Sequence, residues 1–344
     1  MNHWFPASSV SSSTPVSASL PLSHCFAWAQ VSVHATRWAP SSFPVSSRSS
    51  RSSSTVLLGV SGKAWEDKPV LRKAGMLLAV LAVLWGLWEA FKRLGEATDL
   101  RLGTFTVTDL TMPHLHEIVG QLFEPSRTNG PLLIEVLWDA ALFTAKEAAV
   151  GFLLGAAFGF AIGVVLHHSR LLQRGVLPYI VASQTIPILA IAPMIVVWTG
   201  SRGTPAWFSV AIIAAFLTFF PVTINTLRGL DSADPRALEL MRSYAASKWS
   251  VLWKLKVPAS LPYLFVAFKI SATASVVGAI VGELPSSIQD GLGGAILNFN
   301  QYYLSSPPSL WATNLIAALL GITFFAIVAV VEHFVVRRAP EHVA

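Results

Sequence analysis

Six apolar runs, each near the length that crosses a bilayer, constrain this chain more than any other feature. They lie at about Ala74 to Phe91, Ala140 to Leu166, Val176 to Thr199, Ala206 to Ile224, Tyr263 to Val281 and Ala312 to Val331. A hydrocarbon core about 30 Å thick takes about 20 helical residues to span. Inside it every backbone N–H and C=O must be satisfied within the segment, which a helix does and a loop does not. The expectation is an all-α polytopic helical membrane protein of about six transmembrane helices. Only 12% of the residues are charged, against about 25% in a typical soluble domain. Arg72 and Lys73 precede the first run, Arg170 and Arg174 follow the second, and Arg337 and Arg338 follow the last. Because lysine and arginine stay on the cytoplasmic side, both termini are expected in the cytoplasm. The net charge of +6 belongs to these loops. No basic stripe with interleaved aromatics points to nucleic acid.

The most informative polar stretch is Leu227 to Pro262, between the fourth and fifth runs. It carries six Lys/Arg against three acids, which places it in the cytoplasm. Asp234 is suited to cap a helix whose first position is Pro235. Leu238, Met241 and Ala245 then fall on one face. Ser247 is suited to cap a second helix, Lys248 to Lys256, with Trp249, Leu252, Trp253 and Lys256 at helical spacing. Pro258 and Pro262 are expected to punctuate the path back into the membrane. Two capped helices on the water side of a membrane protein make a docking element for a soluble partner.

This stretch resembles the coupling loop of the permease subunits of ATP-binding cassette importers, whose signature is E-A-A-x-x-x-G, nine residues, then I-x-L-P. Glu239 stands for the Glu, Leu240 and Met241 for the two Ala, and Ala245 for the Gly; Leu255-Lys256-Val257-Pro258 supplies the ending. The nine residues from Ala246 to Lys254 are intact. The resemblance makes Glu239, Leu240, Met241, Arg242, Tyr244, Ala245 and Pro258 the residues that couple to an ATPase. Two departures stand out: a bulkier pair for the two Ala, and Ala245 for the Gly. If the Gly is needed for a left-handed turn, Ala costs roughly 1–2 kcal/mol there, unless the turn is built otherwise or the helix runs longer.

Further motifs extend the resemblance from about Met112 to Arg338. Gln184-Thr-Ile-Pro187 and Ala192-Pro193…Trp198-Thr-Gly200 in the third run are similar to a Q-x-x-P…A-P…W-x-G pattern of the nitrate/sulfonate/taurine branch. Two prolines in one span free carbonyls that need a cavity or a partner, and Gln184 is polar at membrane depth. The fifth run is rich in small residues, Ser275 among them, and ends at Glu283, which resembles the Glu closing this span in the family. Gln184, Pro187, Ser275 and Glu283 are the candidate substrate-pathway residues, with pairing to a neighbouring helix equally open for Glu283. Asp290-Gly-Leu-Gly-Gly-Ala-Ile296 resembles the family's G-L-G-x-x-I turn. In the second run Gly151, Gly155, Gly159 and Gly163 form a groove along one helix face, suited to close helix packing within the subunit. Lys146 and Glu147 are expected towards the outer interface, where long side chains reach water. His114 and His116 lack a third ligand in sequence, so no metal is expected.

Residues 1–65 contain no acid and are rich in serine. They are read as a disordered extension, with an organelle transit peptide and a start assigned too far upstream as alternatives. The family likeness begins only after this segment, which favours the last. Residues 66–344 form the transmembrane domain, with the coupling loop at 227–262. Gly59-Val-Ser-Gly-Lys63 fails as a P-loop, because its first Gly is too close and Ala64 replaces the magnesium-binding Ser/Thr. The chain therefore is expected to bind no cofactor of its own and to catalyse nothing. The resemblance implies ATP on a partner ATPase, a second permease subunit forming a homodimer, an extracytoplasmic binding protein, and a cell-membrane location. The cargo implied is a small nutrient of the nitrate, sulfonate, taurine or pyrimidine-precursor type. Gly282-Glu-Leu-Pro and Asn298 to Tyr303 incline the reading to an uncharged heterocycle. The alternative is an ion-coupled secondary transporter, which would usually show internal repeats and paired ionisable residues within its spans; neither is visible in the sequence.

Overall fold

The computed structural model describes residues 69–98, 101–102, 105–106, 108–126, 130–286 and 288–336. The N-terminal extension, the Gly59–Lys63 segment and the Arg337–Arg338 pair lie outside the described residues.

The described chain is helical apart from a small antiparallel hairpin in which Arg101 pairs with Thr106 and Leu102 with Phe105. Helix α1 runs Pro69–Ala97, α2 Leu115–Gln121, α3 Leu133–His168, α4 Arg170–Ser183, α5 Ile188–Gly200 and α6 Ala206–Asp231. After these come α7 (Pro235–Ser243), α8 (Lys248–Val251) with a π-helical turn over Leu252–Lys256, α9 (Val257–Ser286), α10 (Leu292–Gln301) and α11 (Pro307–Val336). Four helical stretches are long and apolar enough to cross a membrane: Leu133–His168, Ala206–Asp231, Lys248–Ser286 and Pro307–Val336. The α4/α5 pair is a fifth if counted as one span. α1 covers the first expected run.

The core is α6, flanked by α3 and α9. Along α3 the four glycines face α6 so closely that a Cβ on Gly151 would sit 2.4 Å from Ala214 Cβ, and one on Gly155 2.6 Å from the Ala215 carbonyl oxygen. A Cβ on Gly159 would lie 2.5 Å from Phe219 O, and one on Gly163 2.6 Å from Thr226 Cβ. This is the close approach that small residues permit where lipid supplies no hydrophobic drive between helices. The buried hydroxyls add inter-helix bonds: Thr223 Oγ1 donates to Gly159 O at 3.2 Å, and Ser271 Oγ of α9 donates to Thr218 O of α6 at 3.2 Å.

Three expectations need correction. The third run is not one continuous helix: it breaks at Gln184–Pro187, and α4 and α5 meet at 97°. Pro187 has no N–H to give and disfavours helical backbone at Ile186 before it, so the chain leaves the helix and restarts. Pro258 and Pro262, by contrast, interrupt nothing, because a continuous helix runs from Lys248 to Ser286. The π turn shifts the bonding register, with Val257 N–H reaching back to Leu252 O, and Pro258, which has no N–H to bond, follows directly on that shift. Finally, Glu147 is not at an interface; it is fully buried. Only Lys146 behaves as expected of a snorkelling residue, its ammonium lying 4.5 Å from the Trp207 ring centroid.

Candidate functional site

The polar loop folds as its caps dictate. Asp234 Oδ1 accepts from the Arg236 N–H at 2.9 Å, with Pro235 opening α7. Ser247 Oγ accepts from the Ser250 N–H at 3.2 Å and opens α8. Between them α7 ends in a Schellman arrangement. Ala245 N–H donates to Arg242 O at 2.9 Å and Ala246 N–H to Met241 O at 3.0 Å. Ala245 is the left-handed residue this motif requires, at φ 50°, and among the described residues it alone is a non-glycine with positive φ. An alanine thus makes a left-handed turn at the position where the family's signature carries glycine. Glu239, Leu240 and Arg242 are exposed on α7 and Tyr244 is exposed at its C-cap, while Met241 is half-buried; Trp249 and Trp253 are exposed on the segment that follows. Pro258 is exposed at the start of α9.

The loop is tied to the core through residues that sequence reasoning did not single out together. Lys256 Nζ donates to His167 Nε2 at 2.6 Å, and His167 Nδ1 lies 3.0 Å from Asp231 Oδ1. The end of the π turn, the end of α3 and the end of α6 are thereby joined by one imidazole. Only the flanking charge pattern in sequence hinted at these groups, since the three are brought together by folding. Midway along α9, Lys269 Nζ donates to Glu332 Oε2 of α11 at 2.8 Å.

The candidate pathway residues fall in two places. Gln184 and Pro187 are exposed at the α4/α5 break. Ser275 and Glu283 are fully buried on α9, and Ser275 Oγ donates to Ala272 O of its own helix at 2.8 Å. Glu283 is a structural node. Thr144 Oγ1 of α3 donates to its Oε1 at 2.6 Å, and the Gly293 N–H donates to its Oε2. The Leu292 N–H in turn donates to Thr144 Oγ1 at 2.9 Å. A Cβ on Gly291 would stand only 2.2 Å from Glu283 Oε1, so the G-L-G turn has its glycines because a carboxyl group occupies the space. The buried Glu147 lies near enough to Glu283 to interact, yet neither of its oxygens has a hydrogen-bond partner. The sequence showed no paired ionisable residues within the spans; folding creates this pair and the Lys269–Glu332 pair.

Residues 151–337 match the family described as "Binding-protein-dependent transport system inner membrane component". The formylaminopyrimidine transport permease protein ThiX of Halalkalibacterium halodurans is 34% identical over 187 residues, covering 54% of this chain and 71% of that one. The riboflavin transport system permease protein RibX of Chloroflexus aurantiacus is 31% identical over 202 residues, 59% of this chain and 73% of that one. The taurine transport system permease protein TauC of Escherichia coli is 24% identical over 262 residues, 76% of this chain and 86% of that one.

Proposed function

The chain belongs to the family of inner-membrane components of binding-protein-dependent transport systems, and on that premise we propose that it is the permease subunit of an ATP-binding cassette importer. Two copies form the pathway in the cytoplasmic membrane, with both termini and the α7–α8 loop inside. A separate ATPase docks on that loop, and a binding protein delivers cargo to the opposite face. The observation that carries the reading is the loop itself: a capped helix pair that leaves Leu240, Tyr244 and Trp249 exposed on a water-facing element, with the signature's spacing and a left-handed turn at Ala245. ATP on the partner supplies the energy. Closure of the ATPase pair moves α7, and the Lys256–His167–Asp231 junction passes that motion to α3 and α6. The cargo shifts the inward–outward equilibrium only by its unequal affinity for the two states.

We assign the cargo to small organic nutrients, and within them to an uncharged heterocycle. Two of the relatives are named for formylaminopyrimidine and riboflavin transport, and no lysine or arginine cluster suited to a small anion lies at depth among the described residues. The test is uptake by vesicles that contain the chain and its ATPase, with Glu239→Lys as the perturbation. Charge reversal on the docking helix abolishes ATP-driven uptake while leaving membrane insertion intact. Unchanged uptake by Glu239→Lys removes the coupling assignment. Uptake driven by an ion gradient without ATPase would instead give the buried Glu147–Glu283 pair a transport role.

A further inference from the structure

Two histidines that looked unsupported in the sequence acquire a third ligand in the fold. His114 and His116 sit at the start of α2, and Glu89 reaches them from near the C-terminal end of α1. One ligand atom from each lies within 4.8 Å of the other two. The rings of His114 and His116 are stacked obliquely, with centroids 5.2 Å apart. The backbone carrying them is held in place from α1: Glu89 Oε1 accepts from the Leu115 N–H at 3.2 Å, and Trp88 Nε1 donates to Pro113 O at 3.4 Å. Glu89 Oε2 also pairs with His114 Nδ1 at 2.8 Å. Glu89 and His114 are largely buried, with 16% and 19% of their side chains exposed, whereas His116 faces solvent.

We propose that Glu89, His114 and His116 form a divalent transition-metal site, of zinc type, that staples α2 to α1. The donor set decides the metal. Two imidazoles and one carboxylate match the N/O preference of zinc-type ions, and calcium and magnesium prefer all-oxygen shells. The ligand atoms of a tetrahedral zinc site stand about 3.4 Å apart, given metal–ligand bonds of about 2.0–2.2 Å. The cluster therefore needs a small contraction, which the exposed His116 ring can supply by rotation. A fourth position remains on the solvent side beside His116, where water completes the shell.

A neighbouring set, Glu96, Asp109 and His114, is the weaker rival because a cation already occupies it. Lys92 Nζ lies 2.5 Å from Asp109 Oδ1 and 3.5 Å from Glu96 Oε1. Its hydrogen bond holds the Asp109 carboxyl below the usual carboxylate range. That leaves Glu89, whose hydrogen-bond partners are His114 and the Leu115 N–H and which Arg93 reaches only through space, as the carboxylate available to a metal. The proposal does not depend on the transport reading: it concerns the segment before α3 and is read without ATP.

The experiment is a Co²⁺ titration of the purified full chain in detergent, followed by visible d–d absorption and calorimetry, with Zn²⁺ as competitor. The wild-type protein shows intense tetrahedral-type bands that saturate, and Zn²⁺ bleaches them. His116→Ala weakens the binding at least tenfold, by the about 10–100-fold that even outer-shell changes cost, with helicity and elution volume unchanged. His116→Cys, which keeps a ligand, restores binding and adds a thiolate-to-cobalt band. Wild-type protein without saturable bands overturns the proposal, and so does His116→Ala binding Co²⁺ as tightly as the wild type.

Discussion

Ala245→Gly is predicted to stabilise the docking loop. The left-handed backbone at φ 50° brings the Ala245 Cβ against its own carbonyl, at a cost of about 1–2 kcal/mol for an L-residue. Glycine removes that cost but makes the open chain more flexible, which takes back about 0.4–1 kcal/mol. The difference is a net gain of about 0.5–1 kcal/mol, or about a two- to fivefold shift in the local opening equilibrium. The readout is amide hydrogen exchange at Ala246 in lipid nanodiscs, since its N–H closes the Schellman turn onto Met241 O at 3.0 Å and exchanges only when the turn opens. Exchange at Ala246 slows by that factor in Ala245→Gly, while amides in α3 and α6 keep their rates. Ala245→Val, β-branched and worse in this conformation, speeds it. Faster exchange in the glycine variant would refute the reasoning, because it would mean that the alanine methyl contributes more by contact than its backbone costs.

Gly155→Ala forces a Cβ to within 2.6 Å of Ala215 O and Thr218 Cβ, an overpacking loss of about 1–3 kcal/mol. It lowers the detergent melting temperature, whereas Gly175→Ala, with nothing within 4 Å of its Cβ, leaves it unchanged; equal melting of the two variants would contradict the groove packing. Glu147→Gln gives an unpartnered buried group an amide that can donate to Glu283, so melting stays level or rises. Glu283→Gln disturbs an acceptor used by Thr144 and Gly293, with an expected loss of about 1–3 kcal/mol. Thermal unfolding of both variants checks the order, and a reversed order rejects the structural role given to Glu283.

Local chemistry was legible wherever it is carried by neighbours in the chain. The caps at Asp234 and Ser247, the opening of α7 at Pro235 and the glycine face of α3 all read directly from spacing. The left-handed turn at Ala245 was legible only as a condition with its cost, because an alanine at a glycine position left open a turn built otherwise or a longer helix. What escaped the sequence depends on partners far along it. Nothing local says that Pro187 breaks its span by 97° while Pro258 and Pro262 are absorbed into one long helix; the π turn before them decides it. Glu147 reads as an interfacial acid from its neighbour Lys146, but helix rotation sends it inward to Glu283 on another helix. His167 needed Lys256 and Asp231, and His114 needed Glu89, each brought from a different element by packing.

The central claim, that this chain hands the energy of a soluble ATPase to a membrane pathway through α7, meets its most direct test in a pull-down. The tagged protein is taken from its own membranes in mild detergent and the co-purifying proteins are identified by mass spectrometry. The account predicts a stoichiometric soluble ATPase carrying a P-loop, retained by the wild-type chain and lost from Glu239→Lys. A homo-oligomer with no ATPase, or an ATPase held equally well by Glu239→Lys, would contradict it.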